Sequence, residues 1–150
     1  MPLIEHHEFI QSPIERCFDL ARDVDIHTRT TEGTKEKAVG GITTGLLQAG
    51  DIVTWEAVHF GIRQRLTAKV TVMDRPNMFE DIMVKGAFHS FHHIHEFIEK
   101  DNGTLMIDRF QYTSPYGLIG IFADKLFLES YMKKFIVSRA RALKHIAENE

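Results

Sequence analysis

The sequence has little of what marks a secreted, disulfide-stabilised or membrane-spanning protein. Its single cysteine, Cys17, excludes a disulfide within the chain and is typical of a reducing compartment. The longest stretch without a charged residue, Phe110–Ala123, has 14 residues, fewer than the roughly 20 of a membrane-spanning helix. Glu5 and Glu8 lie where a signal peptide needs an apolar core. We therefore expect a cytoplasmic protein that does not insert into a membrane.

An excess of charge of one sign is also missing. The 18 Lys and Arg residues and the 21 Asp and Glu residues are interspersed and give a net charge of −3. Nucleic acids and anionic membrane surfaces attract concentrated positive charge, so we expect neither as a partner. The chain has 150 residues, 43% of them hydrophobic, and no repeat or linker. Residues 1–150 are therefore predicted to form one domain, while the composition gives no indication of the oligomeric state.

Familiar cofactor and nucleophile motifs are missing as well. Gly40–Gly50 is rich in glycine, but no Lys-Ser or Lys-Thr follows it and a predicted strand comes next. This excludes a phosphate-binding loop. No serine stands in a Gly-x-Ser-x-Gly elbow, and no His-Glu-x-x-His pair is present, so we expect no cofactor and no metal. Ile42, Leu46 and Leu47 are apolar residues within the loop, and they indicate a flap over an apolar opening.

What the sequence does have is a long amphipathic segment at its end, Tyr116–Glu150. Pro115 disfavours helix before it, and roughly 30 residues at about 1.5 Å each predict a helix of about 45 Å. Apolar side chains recur along it at steps of three and four. The stripe consists of Leu118, Ile121, Phe122, Leu126, Leu128, Met132, Phe135, Arg139, Leu143 and Ile146. Leu118, Phe122 and Met132 are candidates to line a cavity.

Most of the preceding chain alternates between apolar and polar residues in the manner of β-strands. Strands are predicted at 3–10, 35–39, 51–60, 62–73, 78–85, 88–99 and 104–112, and short helices from Pro13 and over 23–31. A sheet must cover its apolar face, and the C-terminal helix is the only predicted element long enough to do so. We therefore predict an α+β fold in which a curved antiparallel sheet of about seven strands wraps around the long C-terminal helix, with two short helices after the first strand.

Pairing across the last hairpin places several polar residues on the inner face of the sheet. If Glu99 pairs with Thr104, His95 lies opposite Asp108. The inward residues of the last two strands and of the third strand are predicted to be Trp55, His59, Phe91, His93, His95, Phe97, Asp108, Phe110 and Tyr112. All of these are candidates for ligand binding, and His93, His95 and Asp108 are the candidates for catalysis.

The sequence does not decide which residues of the fifth strand face inward. A two-residue turn at Gly86-Ala87 would place the even-numbered residues of 80–84 inside. A simple turn after the fourth strand would instead place the odd-numbered residues of 79–83 there. A β-bulge must decide between the two.

Several stretches of the sequence resemble a known superfamily. They are Gln11–Phe18 (QSPIERCF), Asp51–Gly61 (DIVTWEAVHFG), Arg75–Asp81, Gly86–Phe88, His93–Phe97, Asp108–Tyr112 and Pro115–Gly117. The chain resembles the SRPBCC superfamily, the START-like or helix-grip (Bet v 1-like) proteins that include polyketide cyclases and lipid-binding modules. Within it, the chain is similar to a bacterial ligand-binding branch sometimes labelled as cell-division-inhibitor-like. The resemblance implies the helix-grip fold but no settled chemistry, since that fold hosts carriers, receptors and enzymes alike.

Four interpretations of the His95–Asp108 neighbourhood are open. The two groups could simply satisfy each other as a buried hydrogen-bonded pair, or they could orient a mainly apolar ligand. Asp108 could also raise the pKa of His95 and fix its tautomer for acid–base catalysis. Finally, His59, His93 and His95 could bind a metal ion, although no further ligand spacing supports one.

Other side chains have two interpretations or a purely structural one. Arg139 lies in the apolar stripe, so either its stem packs while the guanidinium reaches water, or the guanidinium binds an acid group of a ligand. Cys17 is expected to be an inert core thiol. The histidines expected at the surface are His6, His7, His27 and His145.

The leading hypothesis is a binding protein for a small hydrophobic or aromatic molecule, lipid- or polyketide-like, held in a cavity between the sheet and the C-terminal helix. Access would be framed by the Gly40–Gly50 loop and the start of that helix. The first alternative is a cyclase, dehydratase or hydrolase that uses His95 or His93 with Asp108 as acid–base groups. The second is a protein-interaction module, for instance in cell division, which a large exposed apolar patch would favour.

Overall fold

The computed structural model describes residues 2–114 and 127–150 of the chain. In chain order its elements are β1 (Leu3–Ile10), α1 (Ile14–Ala21), α2 (Val24–Arg29), a 3₁₀ turn (Glu32–Thr34), β2 (Lys37–Gly41), β3 (Ile52–His59), β4 (Ile62–Asp74), β5 (Met78–Lys85), β6 (Ser90–Lys100), β7 (Gly103–Thr113) and α3 (Glu129–Asn149). The predicted order of strands and helices is confirmed. The predicted first part of the terminal helix, from Tyr116 and including Leu118 and Phe122, lies outside the described residues.

The seven strands form one antiparallel sheet in the order β1-β7-β6-β5-β4-β3-β2. Neighbours from β2 to β7 are joined as successive hairpins, while β1 pairs with β7 at the opposite edge from β2. Helices α1 and α2 therefore carry the chain from one edge of the sheet to the other. The helix α3 packs across β1 and α1, so the curved sheet is covered by the C-terminal helix as predicted.

The hairpin of β6 and β7 has the predicted register. Glu99 pairs with Thr104, and this places His95 opposite Asp108. Asp101 and Asn102 have φ angles of 48° and 62°, which is the left-handed conformation that a tight two-residue hairpin turn requires. Because side chains alternate between faces, this turn decides which side chains of both strands point toward α3.

Two bulges interrupt the pairing of β4 with β5. Thr71 of β4 and Val84 of β5 are the extra residues where the pairing of these strands shifts. With the bulge at Thr71, Asp81 pairs with Val70, and Phe79 and Asp81 point inward, which is the odd-numbered alternative that the sequence left open. The same shift turns Val72 outward, where it is 46% exposed.

The predicted two-residue turn at Gly86-Ala87 is wrong. Pairing between β5 and β6 ends at Ile82 and His92, and β6 begins only at Ser90, so a wider loop joins the strands.

Helices α1 and α2 form a tight corner beside the sheet. In α1 the apolar stripe of Ile14, Cys17, Phe18 and Ala21 is buried, as the spacing predicts. The sequence Ser12-Pro13 predicts Ser12 as the N-cap and Pro13 as the first helical residue. The helix instead begins at Ile14 with Pro13 at the N-cap position and no capping side chain, so that prediction is wrong. The thiol of Cys17 is buried, and desolvation raises its pKa, consistent with an inert core group.

The C-terminal half of α3 packs in a cluster that we call the sealed cluster. In it, Ala140, Leu143 and Ala147 of α3 pack with α1 and with Phe79, Phe97 and Met106 of the sheet. Nearer its start, Met132 and Ile136 pack in a second cluster with side chains of β1, β6 and β7. Among the described residues, no helix is both long and apolar enough to cross a membrane.

We predict that Phe97→Ala lowers the free energy of unfolding by about 3–5 kcal/mol, because it leaves a void in the sealed cluster. The Phe97 ring lies 5.4 Å from that of Phe18, centroid to centroid. The neighbouring Ile98 is 44% exposed on the opposite face, so Ile98→Ala should cost less than about 1 kcal/mol. Denaturant unfolding checks both values, and similar losses in the two variants would contradict the assignment of the faces.

Candidate ligand-binding cavity

A cavity of about 580 Å³ lies between the inner face of the sheet and the first described half of α3. Its walls come from β3 to β7, from the corner of α1 and α2, and from residues 128–139. The described residues that line it are Ala21, Arg22, Asp23, Val24, His27, Glu36, Leu47, Val53, Trp55, Ala57, His59, Phe60, Ile62, Gln64, Arg65, Leu66, Ala68, Val70, Phe79, Asp81, Ala87, Phe88, Phe91, His93, His95, Phe110, Leu128, Tyr131, Met132, Phe135, Ile136 and Arg139. Most of these side chains are apolar or aromatic.

The structure brings most of the predicted ligand-binding residues to this wall. Those that line the cavity are Trp55, His59, Phe91, His93, His95, Phe110 and Met132. Phe97 does not, because its ring lies in the sealed cluster with Phe18 and Phe79. Asp108 lies behind the two histidines, and Tyr112 is fully buried beside Phe88 and Phe110.

Four titratable side chains form a connected cluster in the wall, which we call the Asp–His cluster: Asp81, His93, His95 and Asp108. Nε2 of His93 lies 2.9 Å from Oδ1 of Asp108. Nε2 of His95 lies 3.2 Å from Oδ2 of Asp81, while its Nδ1 lies 3.3 Å from the same oxygen of Asp108. The two imidazoles stack with their centroids 3.8 Å apart. Asp108 therefore contacts both rings, and Asp81 contacts His95 from the cavity side.

The environment pushes the pKa values within this cluster apart. Burial alone would raise the pKa of Asp108, but hydrogen bonds and charge from His93 and His95 outweigh it and hold that pKa far below its usual value. Burial and the neighbouring His95 lower the pKa of His93. For His95, burial is outweighed by Asp108 and Asp81, which raise its pKa. Burial alone would also raise the pKa of Asp81, but the hydrogen bond and charge of His95 outweigh burial and lower that pKa.

His59 does not join the other two histidines. Its Nδ1 contacts the hydroxyl of Tyr131 on α3, and burial lowers its pKa. In the described part of the chain, the group whose potential ligand atoms lie within 4.8 Å of one another consists of Asp81, His93 and His95. The trio of histidines considered from the sequence is therefore not assembled.

A second polar pair also lines the cavity, and sequence reasoning missed it. His27 was expected at the surface, but it lines the cavity, its ring lies tilted against that of Trp55 at 4.1 Å between centroids, and it bonds Glu36 at 2.8 Å. Burial lowers the pKa of His27. Burial would raise the pKa of Glu36, but the partner imidazole outweighs it and lowers it.

Arg139 points into the cavity from α3. Arg139 is only 6% exposed, so of the two alternatives for this residue, the one in which its guanidinium reaches water is wrong. One Nη donates to the carbonyl of Ala21 at 3.0 Å, and Nε has no hydrogen-bond partner. Among residues 2–114 and 127–150, the arginines that form ion pairs with carboxylates do not include Arg139. A buried guanidinium with an unused donor is costly unless something else in the cavity accepts from it.

The loop after β2 closes one side of the cavity. Leu47 lines it, and the Leu47 and Val24 amides bond the carbonyls of Arg22 and Gly45. These bonds tie the loop to the corner of α1 and α2. The predicted contribution of this loop to the cavity is therefore carried by Leu47, while Leu46 stays exposed.

The sequence left Phe79 and Asp81 as one of two alternatives, because the bulge in β4 that decides between them leaves no local signal. Other lining residues were missed for identifiable reasons. His27 lies on a helix of six residues, too short to show an apolar stripe. Tyr131 and Ile136 lie beside the predicted helical stripe. They could have been predicted from the sequence, because the face of a helix that meets a cavity is wider than one row of side chains.

The fold is shared with several solved structures at low sequence identity. The protein TTHA0849 of Thermus thermophilus is 19% identical over 96% of this chain and 95% of its own, with a TM-score of 0.79. KanY is 16% identical, with 97% of each chain covered and a TM-score of 0.72. The major latex-like protein 151 of Panax ginseng is 14% identical, with 97% of each chain covered and a TM-score of 0.71.

Comparison by sequence gives no further assignment. No family model matches the chain, and a search of the curated proteins finds no match either. At identities below 20%, the structural neighbours establish the fold alone. The chain therefore has the α+β helix-grip fold, a seven-stranded curved antiparallel sheet closed by its C-terminal helix.

Proposed function

We propose that this protein, as a one-domain member of the SRPBCC superfamily, binds a small hydrophobic or aromatic ligand, lipid- or polyketide-like, between the sheet and α3. The observation that carries the proposal is the cavity itself. Its volume of about 580 Å³ lies within the range of roughly 300–1,000 Å³ of small-molecule sites. The helix-grip fold by itself would not support a function, because one fold hosts many.

The distribution of polar groups supports a ligand with one apolar body and a few fixed polar contacts. Aromatic rings such as Trp55, Phe91 and Phe110 supply broad apolar contact on the sheet. The polar groups are concentrated at a few points, namely the Asp–His cluster, the His27–Glu36 pair and Arg139. A mainly apolar wall with a few convergent polar groups is typical of small-molecule recognition.

Arg139 supports a ligand with a hydrogen-bond-accepting head group. Its Nε has no acceptor among the described residues, and the guanidinium can hold a carboxylate through two parallel bonds. A carboxylate is thus the head group that would use this donor best. The ligand that best fits both features is an amphipathic organic acid with its tail along the aromatic wall.

Filling the cavity should abolish binding without disturbing the outer face of the sheet. Ala57 lines the cavity on β3, whereas Val58, the next residue, does not. We predict that Ala57→Trp weakens binding of the neutral fluorescent probe N-phenyl-1-naphthylamine by at least about tenfold, about 1.4 kcal/mol, because the indole occupies the ligand's volume. Fluorescence titration measures the affinity.

Val58→Trp is the matched control and should bind the probe as the wild type does. Retained binding in Ala57→Trp, with its fold verified by circular dichroism, would contradict a ligand site in this cavity. Failure of the wild-type protein to bind the probe or to gain thermal stability from any hydrophobic compound would count against the proposal as a whole, since a ligand that prefers the folded state must stabilise it.

Arg139 should discriminate between an acid and the corresponding alcohol. We predict that Arg139→Met weakens binding of decanoic acid by roughly tenfold to a hundredfold while leaving 1-decanol nearly unchanged, because a hydrogen bond to a charged group contributes about 1.5–3 kcal/mol. Displacement of N-phenyl-1-naphthylamine measures both affinities. Arg141→Met, an exposed arginine on the same helix, is the control, and an equal loss for acid and alcohol in Arg139→Met would show that the arginine acts only through packing.

A second candidate function is acid–base catalysis on the bound ligand. It is favoured by the geometry of Asp108, which contacts His93 and His95 from behind while both imidazoles line the cavity. A carboxylate behind a histidine fixes the ring's tautomer and orientation. Turnover of a bound ligand should then disappear in His95→Ala and in Asp108→Asn, whereas turnover retained in both variants would exclude this candidate.

A further inference from the structure

The Asp–His cluster has the composition of a metal site with three protein ligands. Asp81, His93 and His95 each offer one ligand atom, and these atoms lie within 4.8 Å of one another. Both histidines are buried, and all three residues line the cavity. Two imidazoles and one carboxylate are the ligand set of several catalytic zinc and iron sites, in which the remaining coordination positions stay open.

The distances are close to those that a bound ion would impose. Nitrogen and oxygen ligands lie at about 2.0–2.2 Å from zinc, so neighbouring ligand atoms lie about 3.0–3.6 Å apart. Nε2 of His95 and Oδ2 of Asp81 are already 3.2 Å apart. The remaining separations are at most 4.8 Å, and the two rings are stacked. Binding therefore requires a closure of about 1 Å together with a rotation of the rings that turns both nitrogen lone pairs toward one point.

Asp108 occupies the place of an outer carboxylate that holds the ligands. Its Oδ1 lies 2.9 Å from Nε2 of His93 and 3.3 Å from Nδ1 of His95. Each ring then keeps its other nitrogen, Nδ1 of His93 and Nε2 of His95, for a metal ion. Metal-binding histidines almost always donate their second N–H to a carboxylate, a carbonyl or a water.

The contact between Nδ1 of His95 and Asp108 is compatible with such an ion. Nδ1 of His95 is buried and makes no hydrogen bond, although Asp108 is near. A metal ion on Nε2 would fix the proton on Nδ1 and leave a small rotation of the ring to complete the bond to Asp108. The ion would also balance the two buried carboxylates of Asp81 and Asp108 while both imidazoles stay neutral, as metal coordination requires.

We propose that Asp81, His93 and His95 bind one divalent transition-metal ion of the zinc type, with Asp108 orienting the two imidazoles. The mixed imidazole and carboxylate donors favour zinc, cobalt or iron over calcium and magnesium. The open coordination positions face the cavity, where they are available to an oxygen atom of a bound molecule. This inference departs from the sequence-based expectation of no metal, and it does not depend on the proposed ligand.

The test is a titration of the tag-free, chelator-treated protein with Co²⁺, followed by its visible absorption and then by competition with Zn²⁺. We expect one ion per chain. Asp81→Asn and His95→Ala should each weaken binding at least about a hundredfold, because each removes a direct ligand. Asp108→Asn should weaken it by roughly tenfold to a hundredfold, as loss of an outer partner does.

His92→Ala is the matched control. His92 is the residue between the two proposed ligands on β6, but it points outward, 2.9 Å from Glu80, so this variant should bind Co²⁺ as the wild type does. If a ligand variant does not fold, imidazole ¹H–¹⁵N spectra of the wild type decide instead: Zn²⁺ must shift the signals of His93 and His95 and leave that of His92 unchanged. Absence of stoichiometric binding by the wild type, or binding unaffected by Asp81→Asn and His95→Ala, would overturn the proposal.

Discussion

The cavity depends first on the register of β6 against β7. The tight turn at Asp101 and Asn102 fixes that register, and a shift by one residue would turn every side chain of a strand to the other face. In the observed register, the three residues His93, His95 and Asp108 meet in the wall facing α3. Close packing at this turn supports it: a Cβ on Gly103 would lie 2.6 Å from the carbonyl oxygen of Ile10, so only glycine fits there.

The second constraint is non-local, and it completes the Asp–His cluster. The bulge at Thr71 shifts the alternation of β4 relative to β5, so that Asp81 pairs with Val70 and points inward beside His95. Without it the even-numbered residues of β5 would face inward with Val70, among them Glu80, which instead bonds Thr71 and His92 on the outer face. The wall of the cavity therefore combines one regular hairpin with one irregular strand pair.

This difference explains how much could be predicted from the sequence. The order of the elements, the antiparallel sheet, the covering helix and the pairing of His95 with Asp108 follow from periodicity and a turn motif, which are local properties. The inward position of Asp81 does not, because a bulge depends on two strands at once. The cavity role of His27 was missed because it depends on how α2 packs beside Trp55.

The position of Arg139 could be predicted only in part. Its place in the apolar stripe shows that the stem packs toward the sheet, but periodicity does not show that the guanidinium ends at the carbonyl of Ala21.

The separation of apolar and polar side chains along α3 argues that the polar groups serve the cavity. The sealed cluster around Phe18 and Leu143 is built from buried apolar side chains, and the charge at its edge, the guanidinium of Arg22 at 5.4 Å from the centroid of the Phe18 ring, is paired with Asp19. Asp81, His93, His95 and Arg139 instead line the cavity. Buried charges contribute little net stability, and well-packed apolar residues of similar size often stabilise a fold as much or more. Stability alone therefore gives little reason for these polar groups to lie beside an enclosed space, and contact with a molecule held in that space gives a better one.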